Sequence, residues 1–372
     1  MKKEFDFLVT DSRYKHSLAI IRSLGKEGFK VATCSEGFSP TIFSRYSKKH
    51  FSYSKENFKE KMLAFLKENN VKLVLPVGYF SNRECSQFKD EILKLSNIIL
   101  DNHKKILKVS DKQSIRALLD KSKMVYPKTW VVKDERGMKD LSSGKYVIKS
   151  ALEEKGKKID YANSFEELEK LLIERKRYGP QIIQEYIKGK GRGFFAFCEN
   201  GKVLQSFQHE RIRQYPESGG VSSCAESIHD PKLDEISKNF LRSIKWTGPV
   251  MLEYIYDPEK KKYFFIEMNA KFWGSYDLSV AAGLNFARIP FDMAHKKKVI
   301  SKKYAKGVRF QWVLPEDTLR IKTSKNKKKA IEEWKKDFFD RSVKKDTQYI
   351  FNDPLPTILR ILSTMWRYLF SK

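Results

Sequence analysis

Apolar and polar positions alternate in short blocks from the start of the chain. Phe5–Thr10 reads as a buried strand, with Asp11 and Ser12 after it as turn and cap residues. Leu18, Ile20, Ile21 and Leu24 fall on one face of a helix over Ser17–Gly25, and Gly28 precedes a second strand, Lys30–Cys34. A strand–helix–strand unit of this kind builds a parallel sheet. The pattern continues with a helix over Phe58–Asn69, a strand over Val71–Pro76, a helix over Asn82–Leu95 and a short strand at Ile98–Leu100. Residues 1–108 are therefore expected to form a small, doubly wound α/β domain with a sheet of about three or four strands. No G-x-G-x-x-G follows the first strand, which argues against a dinucleotide site there.

Asp111 opens a second segment and caps a helix running to about Ser122. Strands follow at Trp130–Val132 and Tyr146–Lys149, then a charged helix at Phe165–Tyr178. Ile182, Ile183, Tyr186 and Ile187 bracket Gln184 and Glu185 in a strand that runs into a hinge. Gly193–Cys198 and Lys202–Arg211 alternate like a hairpin around Asn200-Gly201. A helix is expected over Asp234–Ile244, then paired strands Val250–Tyr256 and Tyr263–Met268, then a helix from about Ser275 to Gly283. Beyond about residue 305 the periodicity weakens to a Lys-rich helix around Lys325–Lys336 and a final amphipathic helix, Leu355–Phe370. Three regions result: 1–108; 109–300, with a smaller part at about 122–184; and a basic extension, 301–372.

Length supports this division, because one core stops growing near roughly 250–300 residues and the chain has 372. A formal charge of +28, from 74 Lys and Arg against 46 Asp and Glu, favours anionic partners: nucleotides, nucleic acid, acidic lipid or acidic metabolites. Cys34, Cys85, Cys198 and Cys224 stand singly, which argues against a zinc site or a disulfide framework and fits buried thiols in a reducing compartment. The opening MKKEFDFLVT is too short and too charged for a signal peptide, and no run reaches the ~18 apolar residues of a spanning helix. A cytoplasmic protein is expected.

Four stretches could carry chemistry. In Tyr263–Ser275, Glu267 and Asn269 lie on one strand face opposite Ile266 and Met268; on the neighbouring strand Glu253 faces away from Leu252 and Tyr254. Two carboxylates and an amide are hard oxygen ligands suited to Mg²⁺, although the same alternation fits a hairpin with its polar side in water. Lys149 ends a strand ahead of a basic loop with Lys155, Gly156, Lys157 and Lys158, which could fold over phosphates or simply be solvated. Gln184–Ile187 could offer backbone to an adenine ring, or be a core strand with an exposed Glu185. Arg211 and Arg213, two apart, share a face if extended and suit a transferring phosphoryl group, or make an exposed basic strand. His209 could serve as an acid–base group, or more simply lie at the surface. No Ser/His/Asp order, H-E-x-x-H or G-x-x-x-x-G-K-[ST] appears, which removes the common hydrolase, metalloprotease and P-loop readings.

The order of these stretches, over about residues 5–300, resembles the ATP-grasp superfamily, especially its carbamoyl-phosphate-synthetase-like, carboxylate–amine ligase branch. VTDSRYKHSLAIIRSLGKEGFKV, SRYSKKHF and LVLPVG resemble the N-terminal domain; SDKQSIRALLDKSKMVYPKTWVV, YVIKS and IIQEYIKGKG resemble the nucleotide-binding segments; MLEYIYD and FIEMNAKFWGS resemble the paired acidic strands. The resemblance implies an α/β fold: an ATP-grasp domain behind a Rossmann-like N-terminal parallel-sheet domain. It implies ATP held by Lys112, Lys149 and the hinge Gln184, Glu185, Tyr186 and Ile187, and Mg²⁺ (or Mn²⁺) held by Glu253, Glu267 and Asn269. Arg211, Arg213 and Lys271 would stabilise charge while a carboxylate is phosphorylated and then attacked by an amine. Lys271 stands where the family commonly places Arg, the loop after Lys149 lacks the usual glycines, and KGRGFF after Gly189 lacks an acidic ribose ligand. An ATP-binding module without turnover and a basic nucleic-acid binder are the alternatives; no nucleic-acid module is recognisable. The partners expected are small carboxylate and amine substrates, a second copy in a homodimer, and a membrane surface at the C-terminal helix, where Leu355, Ile358, Leu359, Leu362, Met365, Trp366 and Leu369 recur at helical spacing among Arg360, Arg367 and Lys372.

Overall fold

The computed structural model describes residues 2–132, 144–151, 159–175, 179–217 and 219–370, with residues 364–370 by backbone alone. The N-terminal sheet has four parallel strands: β1 (Lys3–Val9), β2 (Val31–Glu36), β3 (Ser47–Tyr53) and β4 (Asn69–Leu75), in the order β3-β2-β1-β4. The unbroken apolar runs in β1, β2 and β4 have a direct cause: helices cover both faces, so Phe7, Leu8 and Val9 are all buried. The expected strand at Ile98–Leu100 does not form. Asn97 makes an isolated bridge to Leu73, and Ile98 and Leu100 are spent on the core.

A second, four-stranded sheet comprises β5 (Thr129–Val132), β6 (Tyr146–Ser150), β7 (Asp160–Ala162) and β8 (Gln181–Glu185), ordered β5-β8-β6-β7. Its core is small, built on Tyr146, Ile148, Leu168 and Ile183. Lys155, Gly156, Lys157 and Lys158 lie outside the described residues.

The third sheet organises the molecule. Its strands are β9 (Lys190–Glu199), β10 (Lys202–Tyr215), β11 (Val221–Ser227), β12 (Gly248–Asp257), β13 (Lys262–Asn269), β14 (Arg309–Gln311) and β15 (Lys344–Lys345), in the order β13-β12-β9-β10-β11-β14-β15. Period-2 alternation splits it into two faces. Phe194, Ala196, Val250, Leu252 and Tyr254 pack against the helix Pro231–Ser243. Phe195, Phe197, Phe207 and Met251 pack with Trp273, the helix Tyr276–Ala281 and residues of the N-terminal domain in one continuous core. Each such fully buried side chain contributes about 1.5–3 kcal/mol. The helix expected from Asp111 begins later, at Arg116, and an unforeseen helix, His103–Ser110, precedes it.

The basic extension is built into this framework. β14 is a strand of the central sheet, and Trp312 is fully buried in the core shared with the N-terminal domain. Asp353 accepts from Arg22 Nε (2.8 Å), Ser44 Oγ (2.8 Å) and the Arg45 amide (3.0 Å), and so pins the final helix, Pro354–Phe370, to the N-terminal domain. All four cysteines are free and buried.

Candidate active site

The paired strands β12 and β13 set Glu253 directly opposite Glu267. A bulge after Glu253 pairs Tyr254 with Phe265, so Phe265 and Met268 fill the core while Ile266 is left half-buried. Asn269 Nδ2 donates to Glu267 Oε1 at 3.0 Å and reaches Glu253 Oε1 at 3.5 Å. Each carboxylate is answered by a cation: Lys112 Nζ stands 3.4 Å from Glu267 Oε2, and Arg211 Nη2 stands 3.4 Å from Glu253 Oε2. Burial and the neighbouring Glu267 raise the Glu253 carboxyl above its ordinary range. Burial also pushes Glu267 upward, but Lys112 and Lys149 outweigh it and hold that carboxyl well below its ordinary range. The Lys271 charge acts on both.

Lys149, next to last in β6, is almost wholly buried, and burial brings its ammonium down to about 8 against the pull of Glu267. The Lys112 amide donates to Ala151 O at 3.1 Å, so the segments carrying the two lysines are tied together. Gln184 is buried and donates from Nε2 to Thr129 Oγ1 at 3.0 Å. A cleft between the small sheet and β13 is lined by Lys112, Thr129, Gln184, Ile266, Glu267 and Asn269. At the hinge, Glu185 is exposed and Ile187 buried; the amides of Glu185 and Tyr186 donate to Lys128 O and Lys145 O. Gly189 lets the hinge pass β12, because a Cβ there would lie 2.3 Å from Tyr256 O.

The structure thus gathers Lys112, Lys149, Arg211, Glu253, Glu267, Asn269 and Lys271, but not Arg213. Register shifts around Arg213 break the two-residue period, and its guanidinium meets Asp317 (Nη2–Oδ2 2.8 Å) and Asp337 instead. Nor is His209 at the surface. It is buried edge-on to Phe195, and burial with the nearby Arg211 holds its imidazole neutral, down to about 3.

The sequence pattern marks Asp11 only as a turn and cap residue. Asp11 sits at φ 50°, where the chain leaves β1 beside the end of β4. Its Oδ2 accepts from Thr10 Oγ1 (2.5 Å), the Gly78 amide (2.8 Å) and Ser81 Oγ. Sheet order reverses between these strands, which is where open parallel sheets take ligands. The Thr-Asp-Ser sequence at the end of a strand was the available signal. Lys15, just beyond, brings Cε to 4.0 Å from a Cβ placed on Gly274, in the loop that carries Lys271.

With this geometry in place, comparison with known proteins gives the fold. Residues 221–300 match the family described as carbamoyl-phosphate synthase L chain, ATP binding domain. The biotin carboxylase domain of Hydrogenobacter thermophilus 2-oxoglutarate carboxylase, solved with MgADP, ADP and bicarbonate, is similar over 82% of this chain and 73% of that chain, at TM-score 0.64 and 14% identity. The N5-carboxyaminoimidazole synthetase of Staphylococcus aureus, complexed with ADP, covers 83% and 82% at TM-score 0.67 and 12% identity. A biotin carboxylase–β-γ-ATP complex from Campylobacter jejuni covers 82% and 74% at TM-score 0.65 and 15% identity. No curated protein sequence matches. The chain has the ATP-grasp fold, as the order of its motifs implied.

Proposed function

We propose that the protein is an ATP-dependent ligase that activates a substrate carboxylate as an acyl phosphate for attack by an amine. One observation carries this reading: two lysines from the small-sheet side, Lys112 and Lys149, converge on a facing carboxylate pair on the central sheet. Cations aimed at facing anions across a cleft suit a polyphosphate with its counterion. The structurally similar proteins, solved with ADP, MgADP or β-γ-ATP bound, support a nucleotide-binding reading.

The donor set of Glu253, Glu267 and Asn269 fits Mg²⁺. All are hard oxygen donors, and such an ion keeps water and phosphate oxygens for its other positions. A half-turn of the Asn269 amide presents its oxygen, since amide orientation follows the hydrogen-bond network. When bound, the ion would neutralise charge on the transferring phosphoryl group. Lys112 and Lys149 then turn from the carboxylates to the phosphates. The hinge takes adenine, with the Ile187 amide as donor because those of Glu185 and Tyr186 are already spent.

In the reaction a carboxylate oxygen attacks the γ-phosphorus, the bond to the β-phosphate oxygen breaks, and ADP leaves. Arg211, positioned by Ser222 Oγ (3.2 Å) and Gln214 Oε1 (2.9 Å), and Lys271 stabilise charge on the phosphoryl group and then on the acyl phosphate. The amine attacks the acyl carbon, phosphate departs, and the amine's proton passes to solvent. The space between Asp11 and the Lys271–Gly274 loop is the natural approach for the second substrate.

The test is ADP release with MgATP against a panel of amino acids and small carboxylates. Wild type should show substrate-dependent ADP, and Glu267→Gln should lose about 10³-fold or more of it. Equal ADP release by both proteins would remove the acid pair from the mechanism.

A further inference from the structure

Over residues 354–363 the final helix, Pro354–Phe370, turns polar Thr357 and Arg360 to the protein and leaves Leu355, Ile358 and Leu362 exposed. Its inward side is polar: Thr357 Oγ1 accepts from Arg22 at 2.8 Å, and Arg360 Nη2 donates to Leu314 O at 2.8 Å and lies 3.6 Å from Glu316. Its outward side is apolar: Leu355, Ile358 and Leu362, at helical spacing, are 51%, 39% and 54% exposed. Phe351, just before the helix, is 90% exposed. The helix packs on the turn Pro40–Phe43, where Phe38 and Phe43 are likewise exposed and lie against each other. Six large apolar side chains therefore face water around one anchor, Asp353. An amphipathic helix usually turns its apolar side to the core, and a contiguous exposed apolar patch marks a docking surface.

Charge says what covers it. The helix carries no acidic residue. Arg45 and Lys48, exposed next to Phe43, and Lys26, 5.3 Å from the Tyr349 ring, stand beside the anchored segment. A second copy placed here would bring like charges together on chains of formal charge +28. An anionic bilayer surface meets both features: acyl chains take the apolar side chains, and acidic headgroups meet the basic rim. No described helix is long and apolar enough to cross a membrane, so the contact is in the plane of the surface.

We propose that this corner is a membrane-docking face, with Leu355, Ile358, Leu362 and the neighbouring phenylalanines entering an anionic leaflet edge-on. The proposal does not depend on the ligase reading. Anchoring through Asp353 to Arg22, Ser44 and Arg45 fixes the helix on the N-terminal domain, so docking orients the whole molecule.

The test is sedimentation of the full chain with vesicles of phosphatidylcholine alone or mixed with phosphatidylglycerol. Wild type should partition onto the mixed vesicles at least about ten-fold better than onto the neutral ones. The triple variant Leu355→Ser, Ile358→Ser, Leu362→Ser should lose about ten-fold or more of that binding while keeping a cooperative melting transition, since these side chains are already about half exposed. Arg45→Glu with Lys48→Glu should weaken binding to the mixed vesicles only. Wild type left in the supernatant, or a triple variant that binds as well as wild type, would overturn the proposal. So would a wild-type dimer that the triple variant converts to monomer, because a second copy would then cover the face.

Discussion

Arg211 and Arg213 stand two residues apart on β10 and meet opposite surroundings. Arg211 keeps part of its surface open and meets Glu253 at 3.4 Å, beside a second carboxylate and two lysines. Arg213 is enclosed by Asp317 and Asp337, and Asp317 also accepts from Ser223 Oγ (2.9 Å), Gln311 Nε2 (2.8 Å) and Arg320 Nε (3.0 Å). A saturated, buried pair is fixed for structure. A loosely paired, half-open one can exchange its partner for a ligand. On the proposed reading, the same residue type on one strand divides into fold and site, and the bulge between them makes the division.

The sharpest way to break this comparison is to truncate each arginine. Arg213→Ala leaves Asp317 and Asp337 short of a cation in the interior, and about 3–5 kcal/mol of stability should be lost, read as a large fall in denaturation midpoint. Arg211→Ala should cost at most about 1 kcal/mol of stability, because its pair is partly solvated. Its turnover should fall about 10²–10³-fold, as expected for a lost transition-state donor. Exchanged outcomes, with Arg213 controlling turnover and Arg211 stability, would invert the assignment.

A smaller effect separates Lys149 from Arg211. Burial brings the Lys149 ammonium down to about 8, so the free protein loses this charge as pH rises through that value. Bound phosphate favours the protonated form, so ATP binding takes up a proton and weakens above about pH 8. The KM for ATP should rise by up to about ten-fold per pH unit there. Lys149→Arg should flatten this rise, since a guanidinium stays charged throughout. His209, held neutral to about 3, should contribute no inflection near pH 7.

Much of the site was legible because it obeys simple periods. Glu253, Glu267 and Asn269 stand out as polar residues on otherwise apolar strands, and the pleat brings them together. What was not legible depends on departures from period. The bulge at Arg213 leaves no mark in the sequence, so two arginines two residues apart read as partners. His209 sits among polar neighbours in the chain and is buried only because β9 and β11 flank it. β14 has three residues, too few to show alternation, and it joins the sheet through pairing with distant β11. The strand expected at Ile98–Leu100 stops at its first pairing: Asn97 bridges to Leu73 on the open edge of β4, and Ile98 and Leu100 then turn into the core instead of extending the ladder.

The most direct test of the central claim follows the carboxylate oxygen. A carboxylate that stimulates ADP release is labelled with ¹⁸O and turned over with MgATP and an amine, and the released phosphate is analysed by mass. Activation as an acyl phosphate requires one labelled oxygen in each phosphate formed by ligation. Phosphate without label, released together with amide product, would contradict the account.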